Sequence, residues 1–198
     1  MIGIDSITND APELFPIGET VVTWMATDLH GNSASATQLI TIQDTTAPTL
    51  IAPQDIIVEA ENPSSNTVDI GLAQADDLVG VLYVENNAPA SYPVGETIVT
   101  WTAGDAAGNT IQATQTITVT DTIAPSIVAP ADIVSEATSL DENIVTLIGA
   151  NATDAVGVVS IENDSPEVFS VGDTIVIWSA TDAAGNTATD EQIVSIVD

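Results

Sequence analysis

Aspartates recur in this chain at a fixed distance. Asp44 and Asp121 lie 77 residues apart, and the same step relates Asp77 to Asp154, Asp28 to Asp105, and Asp105 to Asp182. Asn32, Asn109 and Asn186 keep that step, each four residues after its aspartate. Asp76 precedes Asp77, but Thr153 stands at its counterpart, which makes Asp77 and Asp154 the better-matched pair. Carboxylates and amide oxygens, joined by backbone carbonyls, make a hard, all-oxygen ligand set suited to Ca²⁺. The candidate ligands are Asp44, Asp76, Asp77, Asp105 and Asn109 in one stretch, and Asp121, Asp154, Asp182 and Asn186 in the next. Asp28 and Asn32 are their relatives in the first stretch. A second explanation stands beside this one, because Asp and Asn also favour turns, where they bond their own backbone.

Charge tilts the choice toward the cation. The 198 residues hold 29 Asp and Glu, no Lys, Arg or Cys and one His, for a formal charge of −29. Three carboxylates gathered together repel one another, and no basic side chain is available to relieve them. The same arithmetic removes phosphate clamps, a nucleic-acid footprint and attraction to anionic lipid. It also removes Schiff bases, disulfides, thiolate chemistry, Cys-based metal sites and a Lys–Asn isopeptide staple. Low hydrophobicity with such charge would mean disorder. Here 44% of residues are apolar and mean hydropathy is +0.30, enough for folded cores. No apolar run is long enough for membrane insertion. The opening MIGIDSITND has neither the basic nor the apolar region of a signal peptide.

Other reactive residues carry less. His30 sits in the turn Asp28 to Asn32 where the related stretches have Ala107 and Ala184, and it reads as an exposed turn residue. Carboxylate pairs for glycoside cleavage can be drawn from so many acids, but none stands out from the repeating pattern. The expectation is therefore no catalytic residue and no enzyme. Asn151-Ala152-Thr153 and Asn163-Asp164-Ser165 fit the glycosylation pattern, although Pro166 weakens the second.

The elements that position the aspartates follow the same step. Trp24, Trp101 and Trp178 are 77 residues apart, and Gly31-Asn32, Gly108-Asn109 and Gly185-Asn186 keep pace. The chain reads as a window on an array: residues 1–43 as the last part of one unit, 44–120 as a complete unit, and 121–198 as another plus the first residue of the next. Within a unit, Val99, Trp101 and Ala103 alternate onto one face of a strand, as do Ile117 and Val119 in the following one. The turn Asp105 to Asn109 joins them, with Gly and Asn able to take positive φ. Earlier strands are expected at Pro48 to Pro53, Ile56 to Glu61, Thr67 to Ala75 and Val81 to Asn86. About seven short strands around one buried Trp predict an all-β fold of tandem immunoglobulin-like antiparallel β-sandwiches in a linear array. Strand direction then returns the aspartate loops to a single pole of each sandwich.

The motifs D-T-T-A-P (44–48), Gly80-Val81 after an Asp-bearing loop, P-V-G-E-T (93–97), V-T-W-T-A (99–103) and D-A-A-G-N (105–109) together resemble the hyalin repeat and related bacterial immunoglobulin-like repeats. The resemblance spans both full units and the partial one. It implies an extracellular or cell-surface setting and a non-enzymatic role in adhesion or surface architecture. On this reading Ca²⁺ at the joints turns a hinged chain into a rod. The partners are further repeats or other copies of the chain, meeting end to end or laterally. The alternative is a module that grips a glycan or a surface receptor, with Tyr83, Tyr92 and Phe169 as its nearest aromatic candidates. Residues 1–43 lack the counterpart of 44–77, so that unit is expected either to be cut from a longer polypeptide or to be completed by strands of another chain.

Overall fold

The computed structural model describes residues 3–198, and every helix or strand among them is a strand. β1 (Ile4–Asn9), β2 (Gly18–Asp28) and β3 (Ser33–Ile42) form an antiparallel sheet in that order. β4 (Thr49–Ile51) and β6 (Gln74–Asp76) pair antiparallel. β5 (Ile56–Glu59), β9 (Thr110–Thr120), β8 (Gly95–Asp105) and β7 (Val81–Asn86) form a four-stranded sheet in that order. The same arrangement returns in β10 (Ser126–Val128) with β12 (Asn151–Thr153), and in β11 (Ile133–Glu136), β15 (Thr187–Val197), β14 (Gly172–Asp182) and β13 (Val158–Asn163). Each of these later strands begins 77 residues after its counterpart, as Gly172 does after Gly95.

The strand plan differs from expectation in two details, and both have local causes. The strand expected over Thr67–Ala75 pairs only at its end, as β6 over 74–76, and six strands stand in each stretch. Asp69 draws the Gly71 amide onto its carboxylate at 3.1 Å, and the turn there breaks the strand. Second, β5 pairs parallel with β9, and β11 with β15, inside otherwise antiparallel sheets. Pro53 and Pro130 follow β4 and β10 and cannot donate to a ladder, so the chain leaves one sheet there. The crossing segment is then caught by β9, where Gln115 donates to the Gln54 carbonyl at 2.8 Å and the Thr116 amide to Asp55 at 2.7 Å. Gln192 and the Ile193 amide do the same for Ala131 and Asp132.

The chain divides into two compact units. One takes the residues through Ile51 together with Ala73–Glu85 and Trp101–Ala113, and the other takes Ala52–Leu72, Asn86–Thr100 and Thr114–Asp198. In the second unit Phe169, Val176, Trp178, Val194 and Ile196 are buried against Ile127, Ala129, Leu147 and their neighbours, closing a β-sandwich. Trp178 also donates from Nε1 to the buried Gln192 at 3.1 Å, which satisfies the one polar atom of the ring. Val99, Trp101, Ala103, Ile117 and Val119 are buried at the corresponding positions.

In the first unit, Trp24 departs from the expectation that all three tryptophans are core. It is 40% exposed, against 3% for Trp101 and 4% for Trp178, because no second sheet covers β2 among the described residues. Also in this unit, the Tyr83 ring lies over Gly104 so closely that a Cβ there would fall 2.4 Å from a ring carbon. The counterparts are Ser6 opposite Thr27 and Ser160 opposite Thr181, two mid-sized residues in place of one large and one absent side chain.

Candidate metal centres

The turn after β8 is built by Asp105. Its Oδ1 accepts the Asn109 amide at 2.8 Å and its Oδ2 the Asn109 side-chain Nδ2 at 2.7 Å. Gly108 supplies the left-handed step at φ 92°, and Gly185 does so at φ 90° after β14. No residue other than glycine takes positive φ among those described, so Asn109 and Asn186 bend the turn through hydrogen bonds alone. Asp77 and Asp154 hold their own loops: Asp77 Oδ1 accepts the Val79 and Gly80 amides, and Asp154 Oδ1 those of Val156 and Gly157, all at 2.7–2.9 Å. In the linkers, Asp44 Oδ1 takes the Thr46 amide at 3.1 Å and Asp121 Oδ1 the Ile123 amide at 3.2 Å.

These turns converge. Asp44, Asp77 and Asp105 bring carboxylate oxygens within 4.8 Å of one another, and so do Asp121, Asp154 and Asp182. Turn chemistry accounts for one oxygen of each linker aspartate and fails for the other. Asp44 Oδ2 and Asp121 Oδ2 are buried with no hydrogen-bond partner, and Asp121 as a whole is only 6% exposed. A carboxylate with one orphaned, buried oxygen, gathered with two further carboxylates, is a donor set that a hard cation would complete. The residues present therefore fit Ca²⁺.

Three expected ligands stand apart. Asp76 is exposed in β6, where its carbonyl accepts the Thr49 hydroxyl at 3.0 Å, and it belongs to neither trio. Asp28 and Asn32 make the same turn as their relatives but join no trio among the described residues. Asn109 and Asn186 do reach the centres, though as donors: each points Nδ2 at its aspartate and at the carbonyl of Asp44 or Asp121, 3.2–3.3 Å away. His30 is exposed in its turn.

Electrostatics separate the three carboxylates of the second centre. Burial pushes the Asp121 carboxyl up from its ordinary value, and the charges of Asp154, Asp182 and Glu59 push the same way against the Ile123 amide. Burial also works upward on Asp182, but the bonds from Asn186, Gly185 and Ala184 outweigh it and hold the group low. Asp105 is held low in the same manner by Asn109, Gly108 and Ala107. Glu59, which the sequence reading passed over, accepts the Thr122 amide and the Thr122 hydroxyl, both at 2.7 Å. Those bonds hold its carboxyl low.

The strand plan and its trio of carboxylates thus recur in register along the chain, the mark of a β-sandwich repeat protein. Residues 43–119 match the HYR domain. It is 32% identical to hyalin of Lytechinus variegatus over 210 residues, covering 98% of this chain and 40% of that protein. Hyalin of Strongylocentrotus purpuratus is 31% identical, with 98% of this chain and 18% of that protein covered. The chain thus spans less than half the length of these relatives. Among solved structures, Drosophila N-cadherin EC1–4 aligns over 95% of this chain and 60% of its own, at 18% identity and a TM-score of 0.37. These matches set the chain outside the cell or at its surface.

Proposed function

We propose that the chain is a non-enzymatic segment of an extracellular stalk or adhesive fibre, built of 77-residue repeats at 44–120 and 121–197 after a partial one at 1–43, and stiffened by Ca²⁺ where they join. The buried, partnerless Asp121 Oδ2 carries the reading, since no positive side chain exists anywhere in the chain to meet it. Asp44, Asp77 and Asp105 would hold one ion, and Asp121, Asp154 and Asp182 another. Bound there, Ca²⁺ supplies positive charge that removes the repulsion and ties linker to loops. The protein prepares the centre by fixing Oδ1 of each linker and loop aspartate with backbone amides, so little remains to be ordered. Extracellular modules bind Ca²⁺ with dissociation constants of about 10⁻⁴ to 10⁻³ M. At a free concentration 100 times that constant, one site adds about 2.7 kcal/mol. That is a large share of stability for a small domain.

Further repeats or other copies of the chain are the partners on this reading. A glycan- or receptor-gripping module loses two of its three aromatic candidates, since Tyr92 and Phe169 are each 2% exposed, while Tyr83, over Gly104, is 38% exposed. Small-angle scattering of the whole chain in Ca²⁺ and in excess chelator tests the proposal. An extended, rigid profile that becomes flexible on chelation is expected, and Asp121→Ala should remove the difference. Identical profiles in both buffers would sink calcium as the stiffener.

A further inference from the structure

We propose that Glu59 is a positioning residue for the Asp121 centre: with Thr122 it forms a clasp that fixes the linker before any cation arrives. The inference rests on reading that centre as a Ca²⁺ site. Glu59 ends β5 and stands opposite Thr120 in the parallel pair with β9. The Ala60 amide donates to the Thr120 carbonyl at 2.8 Å, which secures the residue before Asp121. The Glu59 carboxylate then takes both donors of Thr122, the residue after it. Asp121 is thus held on both sides, its Oδ1 is engaged by Ile123, its Oδ2 is buried without a partner, and its carboxylate lies within 4.8 Å of those of Asp154 and Asp182.

The placement is informative in a second way. Glu59 lies 63 residues before Thr122 and on the other side of the proposed repeat boundary, so the clasp joins one repeat to the linker of the next. Two hydrogen bonds to one carboxylate are charge-assisted and short, the strong kind. Glu59 also lies near enough for its charge to act on Asp121. A fourth carboxylate there raises the repulsion that a cation relieves, while its bonds keep the linker from escaping that repulsion by moving away.

The test is calorimetric Ca²⁺ titration of the full chain carrying Asp44→Asn, which leaves the Asp121 centre. Thr122→Val removes the hydroxyl donor without changing charge, and Glu59→Ala removes the acceptor. Each should weaken binding on the order of tenfold, as loss of outer-shell partners does. Hydrogen exchange in chelator supplies the second readout: the Thr122 amide is slow in the parent and fast in Glu59→Ala, with β14 and β15 protected in both. Unchanged affinity in both variants would overturn the proposal. So would weakening by Glu59→Ala alone, since that would make Glu59 a distant charge and not a clasp. A parent chain that takes up no Ca²⁺ would overturn the cation reading and the positioning role together. Slow Thr122 exchange would then still reveal the clasp as a plain structural contact.

Discussion

At Asp121 one carboxylate oxygen takes the Ile123 amide and the other, buried, takes nothing. Leaving a buried acceptor unmet is costly, and a charged one more so. Asp121→Asn therefore has opposite effects in the two buffers. In Ca²⁺ the variant should melt below the parent, having lost a ligand. In chelator it should melt above the parent, having lost an unrelieved charge, and a variant that melts lower in both would contradict the assignment. Acid should imitate the substitution over a limited window. The folded-state pKa of Asp121 is raised, so its destabilising charge is present at neutral pH and is relieved as pH falls through that value toward the ordinary 3.8. Asp105 and Asp182 are lowered, so what they contribute is present above 3.8 and lost as pH falls below it through their folded values. In chelator the parent should be most stable in mild acid, and thermal melts from pH 7 to 3 should show that maximum flattened in Asp121→Asn. The trio at this centre was legible in the sequence because Asp154 keeps the 77-residue step while Thr153 breaks it. Glu59 was not legible, because one acid among 29 gives no signal until the parallel β5–β9 pair carries it to the linker.

Paired strands explain a substitution pattern that looks arbitrary along the chain. Where β7 and β8 carry Tyr83 and Gly104, β13 and β14 carry Ser160 and Thr181. The two solutions fill similar space by different partition, one large ring over a bare backbone or two mid-sized side chains. Gly104→Thr in the Tyr83 background should destabilise by about 1–3 kcal/mol through overpacking. Adding Tyr83→Ser should recover most of the loss, and denaturant titration of the double-mutant cycle measures the coupling. Simple additivity would show that the ring moves aside freely. The buried face of these strands was readable from alternation, since Val99, Trp101 and Ala103 are each at most 3% exposed. The parallel pairing was not, because it depends on where Pro53 turns the chain out of β4 and on Gln115 and Asp55 catching it. Trp24 shares the alternation of Trp101 but is 40% exposed, in keeping with the lack of a counterpart to 44–77 in residues 1–43.

Across the whole molecule, charge and connectivity act together. A chain of formal charge −29 without one basic side chain repels itself along its length, and hydrogen bonds such as those from Thr122 to Glu59 act against that repulsion. Connectivity adds a response to load. Because β5 runs parallel to β9, and β11 to β15, tension applied through the ends of a repeat pulls each pair along its strands in opposite directions. The hydrogen bonds linking Ile56–Glu59 to Ile117–Thr120 must then give way together, whereas an antiparallel hairpin pulled at its open end unzips one rung at a time. Single-molecule stretching should show one abrupt rupture per complete repeat. Smooth peeling at low force would contradict it. The parallel pair makes each repeat a shear-loaded fastener, suited to a strand that has to hold while its surroundings are being pulled.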